Sequence, residues 1–147
     1  MTPPPQPTYD LTRHSDALAV VRLDRGAKVP SWAAASTLFS VTATDAETSL
    51  VCHASSVPAK ARKEGPFVAF EVTGPLDFGL TGVLHTLLGP LAEAEISVFT
   101  ISTFDTDWIL VHSRAADRAD AAWTAAGHTV HPPTPSSDPG SRSRGAR

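Results

Sequence analysis

Short runs of alternating apolar and polar residues occupy most of the chain, and in some stretches the apolar residues change to helical spacing. Residues 67–73 alternate and are rich in aromatic and β-branched side chains, which predicts a strand. From Leu80, apolar residues recur every three or four positions, which predicts a helix with one apolar face. Pro90, directly after Gly89, predicts a break in this helix, because proline removes a helical hydrogen bond.

The pattern after this helix predicts two further strands, a second helix and a last strand. Residues 96–102 are apolar on both faces, which favours an interior strand, and a turn leads to a strand over residues 107–112. Ser113 is a candidate helix cap, and Gly127 lies where the second helix would end. Residues 128–131 complete the order β-α-β-β-α-β, which is typical of an α+β, ferredoxin-like fold with helices on one face of an antiparallel sheet.

The first half of the chain shows a weaker version of the same order. The predicted elements are a strand at 16–23, a helix at 29–35, a hairpin of 38–43 and 49–53, and a short helix at 57–63. This half lacks a last strand of its own. Either the two halves share the strand at 67–73, or the last strand of the chain crosses back to complete the first sheet.

Proline is concentrated at the two ends of the chain. Of the 13 prolines, eight lie in residues 1–7 and 132–147, and these two segments are predicted to be disordered tails. The remaining body divides into a first module at 8–66 and a second at 67–131.

Charge and cysteine content exclude several classes of protein. The formal net charge is −3, and the body is more acidic still, because the C-terminal tail carries three arginines against one aspartate. An acidic body argues against nucleic acid as a partner. The single cysteine, Cys52, excludes a fold held by internal disulfides, and no apolar run is long enough to span a membrane. We therefore expect a cytoplasmic protein that binds neither nucleic acid nor membrane.

Residues 74–111 carry the most specific pattern. The segment GPLDFGLTGV at a strand-to-helix junction, followed by ISVFTISTFDTDWILV over a hairpin, resembles the second module of ACT-domain proteins that include the cytosolic arginine sensors and small bacterial relatives. Weaker resemblance extends through residues 18–52. Family members often carry Gly at the position of Glu95 and Tyr at that of Trp108.

This resemblance implies two tandem ACT modules and binding of an amino acid as the family role. A helix N-terminus offers unpaired N–H groups to the ligand carboxylate, and Asp77 is placed to hold the ligand ammonium. Carbonyl groups of the strand at 98–101, from this or a facing subunit, would complete the site. The candidate ligand-binding residues are Asp77, Phe78, Gly79, Leu80, Thr81, Gly82, Val83, Val98, Phe99, Thr100 and Ile101.

Alternatives to a binding site stay open at several of these positions. Asp77 has the chemistry of an ordinary turn or capping residue, and Asp105 and Asp107 fit a hairpin turn better than a cation site. No nucleophile, base and orienting residue can be assembled from the sequence, so we expect no enzyme, no metal and no cofactor. The leading hypothesis is a stand-alone regulatory homodimer that binds a small amino acid at a module or subunit interface. The alternative is a protein-interaction module without a small-molecule ligand.

Overall fold

The structure is a computed structural model that describes residues 6–33 and 36–133. The predicted tails at 1–7 and 132–147 lie largely outside these residues. Eight strands and two α-helices follow in chain order: β1 Asp10–Arg13, β2 Leu18–Asp24, β3 Ser40–Ala43, β4 Glu47–His53, β5 Lys63–Val72, α1 Val83–Glu93, β6 Phe99–Ser102, β7 Asp107–His112, α2 Ala116–Ala125 and β8 Thr129–His131. Short 3-10 turns lie at Ala54–Ser56 and Ser113–Ala115.

The strands form one continuous sheet because the long strand β5 belongs to both of its halves. The first part of β5 pairs with β2, which continues to β4 and β3. The second part pairs with β1 on one side and with β7, then β6, on the other. The fold is therefore α+β and ferredoxin-like. Strand β5 serves both halves, but of the strand predicted at 67–73 only Phe67 pairs with β2, and the rest of the shared part lies before it, at residues 63–66.

The main core lies between the second half of the sheet and the two helices. Leu87 and Leu91 of α1 and Trp123 of α2 are fully buried against β5 residues, among them Phe70. A second cluster covers the opposite face, where Leu18, Leu38, Val51, Phe67, Ala69, Trp108 and Leu110 pack together. The two helices therefore support one end of the sheet, where the loop that follows β5 begins.

Two helices predicted in the first half are wrong. Residues 29–33 form a turn rather than a helix, while Ala34 and Ala35 of that prediction lie outside the described residues. Residues 57–62 form irregular turns that lead into β5. Trp32, Val57 and Ala61 still cover a third buried cluster on β2 and β4. These residues are therefore wholly or partly buried without helical hydrogen bonds, whereas Val29 of the first predicted helix is exposed.

Helix α1 differs from its prediction at its start and at Pro90. It begins at Val83, three residues after Leu80, and runs without a break through Pro90 to Glu93. The residue before a proline normally avoids helical geometry, partly because its Cβ clashes with the proline ring. Gly89 has no Cβ, and Leu87 and Leu91 are fully buried on either side of it. Packing and the absent Cβ together allow the helix to continue.

The strand predicted at 96–102 lies at an edge of the sheet and is not interior. Strand β6 begins only at Phe99, and β7 is its partner within the described residues. Ile96 and Val98 lie in the connection before β6, where both pack onto the helical core. Ile96 and Val98 are therefore apolar because they pack against the core after the end of α1. They do not belong to β6, so they give no information about which faces of that strand are buried.

Glu95 ends α1 in a conformation that favours glycine. Its φ angle is +58°, in the left-handed region. The N–H of Glu95 donates to Ala92 and that of Ile96 donates to Leu91, which is the Schellman pattern of helix termination. The glycine that related ACT sequences often carry here thus has a physical reason. Gly127 has the same role after α2, with φ +96°.

The start of α2 also differs from its prediction. Ser113 makes no capping bond to the helix; its hydroxyl donates to the Pro66 carbonyl at 3.2 Å, and a 3-10 turn precedes Ala116. The hydroxyl thus connects this turn to β5. None of the helices in the described part of the chain is long and apolar enough to cross a membrane.

Strand β1, absent from the predicted elements, lies between β5 and β8. It pairs antiparallel with β5 and parallel with β8, and Arg13 reaches Asp117 of α2 at 2.8 Å. His128, only 5% exposed, accepts a hydrogen bond at Nδ1 from the Tyr9 N–H at 3.0 Å. The Tyr9 carbonyl in turn accepts from the Thr129 N–H. Neutral His128 therefore joins the N-terminal segment to β8.

Protonation of His128 is expected to weaken this junction. Burial lowers the pKa of His128 below its ordinary value of 6.5, because the charged ring would lose hydration. Once protonated at Nδ1, His128 also could not accept from the Tyr9 N–H. Its contribution to stability is therefore complete above pH 6.5 and is lost as the pH falls through the lowered pKa. His85 and Glu93 of α1 line the same groove as His128. Urea midpoints measured across this pH range check the expectation.

The variant His128→Asn keeps an acceptor in the side chain but does not titrate. We expect it to show a shallower loss of stability on acidification than the wild type. The matched control is His131→Asn, since His131 lies on β8 three residues after His128, is exposed and pairs with Asp10 at its Nε2. Equal pH profiles for the wild type and His128→Asn would contradict the assigned role.

Candidate functional site

The loop after β5 is held against the turn between β6 and β7. The Leu76 N–H donates to the Asp105 carbonyl at 2.7 Å, and the Thr106 hydroxyl donates to the Val72 carbonyl. Gly74 lies where these segments meet, and they approach it so closely that a Cβ there would lie 3.2 Å from both the Asp105 carbonyl oxygen and the Thr106 Cβ. The loop and the turn therefore form the two walls of one site.

The β6–β7 turn is closed by its own polar side chains. The Thr103 N–H donates to the Thr106 carbonyl at 2.8 Å, and the Thr106 N–H donates back to the Thr103 hydroxyl at 3.3 Å. At the base of the turn, the Ser102 hydroxyl donates to Asp107 Oδ1 at 2.6 Å. These bonds leave the Phe104 ring outside the turn, 82% exposed.

Asp77 organises the loop in front of α1. Its Oδ1 accepts from the Gly79 N–H at 2.8 Å, and its carbonyl accepts from the Leu80 N–H at 2.9 Å. This is the turn that the sequence left open as an alternative for Asp77, and the Gly79 N–H contacts only one of the two carboxylate oxygens. Gly82 then adopts φ +81° as the residue that precedes α1.

The N-terminus of α1 has no side-chain cap. Among the described residues, Gly82 at the N-cap makes no side-chain capping bond, and the first turn carries no acidic residue. Such a terminus presents unpaired donors and the positive end of the helix dipole. These donors face a cleft of about 290 Å³, here called the α1 cleft, whose walls are Leu76, Asp77, Phe78, Leu80, Gly82, Val83, Leu84, Ser102, Thr103, Phe104, Asp105, Thr106 and Asp107.

The side chains that line the α1 cleft are acidic and apolar. Asp77, Asp105 and Asp107 contribute three carboxylates, and none of the lining residues is Lys, Arg or His. The helix donors and Asp77 thus lie on the loop wall, and Asp105 and Asp107 lie on the turn wall. This arrangement suits a small ligand that carries a negative group at one end and a positive group at the other.

The structure places the predicted site residues in two groups. Five of the seven loop residues line the α1 cleft: Asp77, Phe78, Leu80, Gly82 and Val83. Gly79 and Thr81 belong to the same loop but do not line it. The residues of the 102–107 turn complete the second wall, and sequence reasoning did not assign them to the site. One feature of the sequence could have linked the turn to the loop, because an aspartate lies directly beside a phenylalanine in both segments.

The predicted residues of the strand lie outside the cleft. Val98 packs onto the helical core, whereas Ile101 packs onto the opposite face of the sheet. Phe99 and Thr100 lie on the edge strand β6 and are exposed. Their backbone groups on the side away from β7 are therefore available to a ligand or to a second chain.

The described residues contain neither a cluster of metal ligands nor an accessible cysteine thiol. Within residues 6–33 and 36–133, no three His, Cys, Asp or Glu side chains are grouped as a metal site requires. Cys52 is fully buried in β4, and burial raises the pKa of its thiol. The thiol therefore stays protonated near neutral pH, and Cys52 is a core residue.

Comparison with known families identifies two segments of the chain. The family profile described as the ACT domain matches residues 63–122, which include β5, the α1 cleft and most of α2. A second profile, described as that of an N-terminal domain, matches residues 16–60. No curated protein matches the chain.

Solved structures share the fold over most of the chain. Protein Atu0741 from Agobacterium tumefaciens is 30% identical, with a TM-score of 0.81 over 88% of this chain and 97% of that one. VC0802 from Vibrio cholerae, a protein of unknown function described as a possible transport protein, is 18% identical, with a TM-score of 0.61 over 79% and 89%. Aspartate kinase from Synechocystis is 18% identical, with a TM-score of 0.60, and the match covers 89% of this chain but 29% of the kinase.

Proposed function

Because this chain belongs to the ACT-domain family, we propose that it is a regulatory protein that binds a small amino acid in the α1 cleft. The observation that carries the proposal is the uncapped N-terminus of α1 in a cleft that is also lined by three carboxylates. No chemical step is assigned to the protein. Binding would act by stabilising one conformation or assembly of the chain, which requires different affinities for the two states.

The ligand would lie across the cleft with its charged ends separated. Its carboxylate would accept from the N–H groups at the start of α1, where Gly82 offers no side chain to obstruct the approach. Its ammonium would contact Asp77, through the oxygen that does not accept from Gly79, and Asp105. The exposed Leu80 and Phe78 would contact its side chain.

The assembly belongs to the same proposal. We propose two tandem modules, residues 8–66 and 67–131, with β5 running across their boundary. The strand order β3-β4-β2-β5 supports this division, because it gives the first half a four-stranded ferredoxin-like arrangement. The edge of β6 that faces away from β7 has no partner strand among the described residues, and it would pair with a second copy in a homodimer. The expected location of the protein is the cytoplasm.

A screen of the twenty amino acids tests the proposal. We expect at least one of them to raise the unfolding free energy of the full chain by about 2.7 kcal/mol at 100 times its dissociation constant. In isothermal titration, Asp77→Asn should weaken that amino acid about tenfold or more, because a charge-assisted hydrogen bond is lost. Asparagine keeps an oxygen that can accept from the Gly79 N–H, so the loop turn is retained.

The matched control is Asp45→Asn. Asp45 is an exposed carboxylate in the β3–β4 turn and does not line the α1 cleft. Its substitution should leave the affinity unchanged. If no amino acid binds at millimolar concentration, or if both variants weaken binding equally, the ligand or its position is wrong.

A protein-interaction module without a small-molecule ligand is the second candidate. The exposure of Phe78 and Phe104 at the mouth of the α1 cleft favours it, because large exposed aromatic rings are typical of interaction surfaces. This candidate predicts no response to any amino acid in the screen. It also predicts that Phe104→Ala abolishes capture of a defined partner.

A further inference from the structure

Two aromatic rings at the mouth of the α1 cleft are largely exposed in the described part of the chain. Phe78 is 80% exposed and Phe104 is 82% exposed, the highest values among the large apolar residues of the described chain. The rings lie 5.6 Å apart between centroids at an angle of 33°. Leu80, 49% exposed, extends the same surface. We call Phe78, Leu80 and Phe104 the aromatic rim.

The negative charge beside the aromatic rim favours a positively charged group as its occupant. Asp77, Asp105 and Asp107 lie in the adjoining cleft without a cationic side chain among the lining residues. A guanidinium group matches such a surface, because it binds carboxylates with its edge and stacks on aromatic rings with its face. An occupant rich in arginine therefore fits the rim and the cleft together.

We propose that the C-terminal segment of this chain, residues 134–147, docks on the aromatic rim and in the α1 cleft through its arginines. The segment lies outside the described residues and carries Arg142, Arg144 and Arg147 against one acidic side chain, Asp138. Docking would make the segment an internal competitor for whatever else enters the cleft. The inference does not depend on the proposed amino-acid ligand.

The sheet register sets the distance between the end of β8 and the cleft. After β8, Pro132 and Pro133 lie beside His14 and Val68, on the side away from the cleft, so the segment has to turn back to reach it. His131 pairs with Thr12, Thr12 with Glu71, and Glu71 with Trp108. Three strand spacings, about 14 Å, therefore separate His131 from Trp108, the residue next to Asp107 of the cleft. The eleven residues from His131 to Arg142 span up to about 36 Å when extended, which allows the chain to reverse direction and still reach the cleft.

Amide spectra of the full chain test the docking. The wild type is compared by ¹H–¹⁵N correlation with the triple variant Arg142→Gln, Arg144→Gln and Arg147→Gln. We expect the amides of residues 77–84 and 103–107 to shift between the two chains, and high salt to move the wild-type signals toward those of the variant. A synthetic peptide of residues 134–147, added to the triple variant, should return these signals to their wild-type positions.

Substitutions in the rim and the cleft then locate the contact. Introduced into the triple variant, Phe104→Ala and Asp105→Asn should each weaken the peptide about tenfold, whereas Asp45→Asn should not. Phe104 is almost fully exposed, so its loss leaves folding intact. Coincident cleft signals in the wild type and the triple variant would overturn the inference. Shifts that grow with protein concentration would overturn it as well, since a second copy would then cover the rim.

An amino-acid titration of the same two chains separates this inference from the proposed function. If the tail docks and an amino acid also binds, the triple variant should bind that amino acid more tightly than the wild type. Tail-dependent shifts without amino-acid binding would leave the docking in place and overturn only the ligand. Equal amino-acid affinities in the two chains, with no effect of the peptide, would overturn only the docking.

Discussion

Replacing Trp123 with alanine is expected to lower the free energy of unfolding by about 3–5 kcal/mol, as for other large aromatic residues in a core. The side chain is fully buried on α2. Its Nε1 donates to the Leu87 carbonyl of α1 at 2.8 Å, and its ring meets the Phe70 ring of β5 edge to face at 4.8 Å. One residue thus connects both helices to the central strand, and urea denaturation measures its contribution.

Two further variants separate the causes of this loss. Trp123→Phe keeps an aromatic ring against Phe70 but cannot donate to Leu87, so it should cost less than the alanine variant. Trp32→Ala serves as the control for removing a tryptophan, because Trp32 is only partly buried beside the third cluster. A cost for Trp123→Ala no greater than that for Trp32→Ala would show that the helical layer does not form the principal core.

Elements with strong local signals were predictable from the sequence. Residues 107–112 form β7 with the predicted bounds, since this apolar run is followed by a polar turn and a new helix. Gly127 marks the end of α2 because a left-handed residue is needed there. Strand β1 gave no such signal: it has four residues, with Leu11 alone fully buried. Its pairing with β5 and β8 joins residues distant in sequence, which no local pattern encodes.

The candidate site divides in the same way. The loop with Asp77 and Gly82 could be found because turn residues, glycines and the start of an apolar helical stripe follow one another in the chain. The opposite wall, with Phe104 and Asp105, comes from a hairpin whose position depends on the pairing of β7 with β5. Residues 57–62 show the opposite kind of error, in which a local pattern predicted an element that does not form. Their apolar residues have a spacing close to that of a helix, but they are buried by irregular turns.

Gly65→Ala is expected to cost about 2–3 kcal/mol, because it combines backbone strain with a collision between main chains. Gly65 has φ +141°, and an added Cβ would lie 2.9 Å from the Leu18 carbonyl oxygen and 3.4 Å from the Ala19 Cα. These atoms belong to β2, whose pairing with β5 shifts register between Leu18 and Val20. The irregularity therefore brings β2 so close to β5 that only glycine fits.

The position of this collision makes the variant informative about the shared strand. Relief requires β2 to move away from the first part of β5, whereas β1 and β7 pair with the second part. Gly26→Ala is the matched control, since Gly26 has φ +73° but nothing within 4 Å of an added Cβ, so it carries strain without collision. Hydrogen exchange should accelerate in β2 and β4 of Gly65→Ala before it does so in β7. Uniform acceleration across all strands would mean that the two halves of the sheet unfold as one unit, and a urea midpoint equal to that of Gly26→Ala would refute the close approach itself.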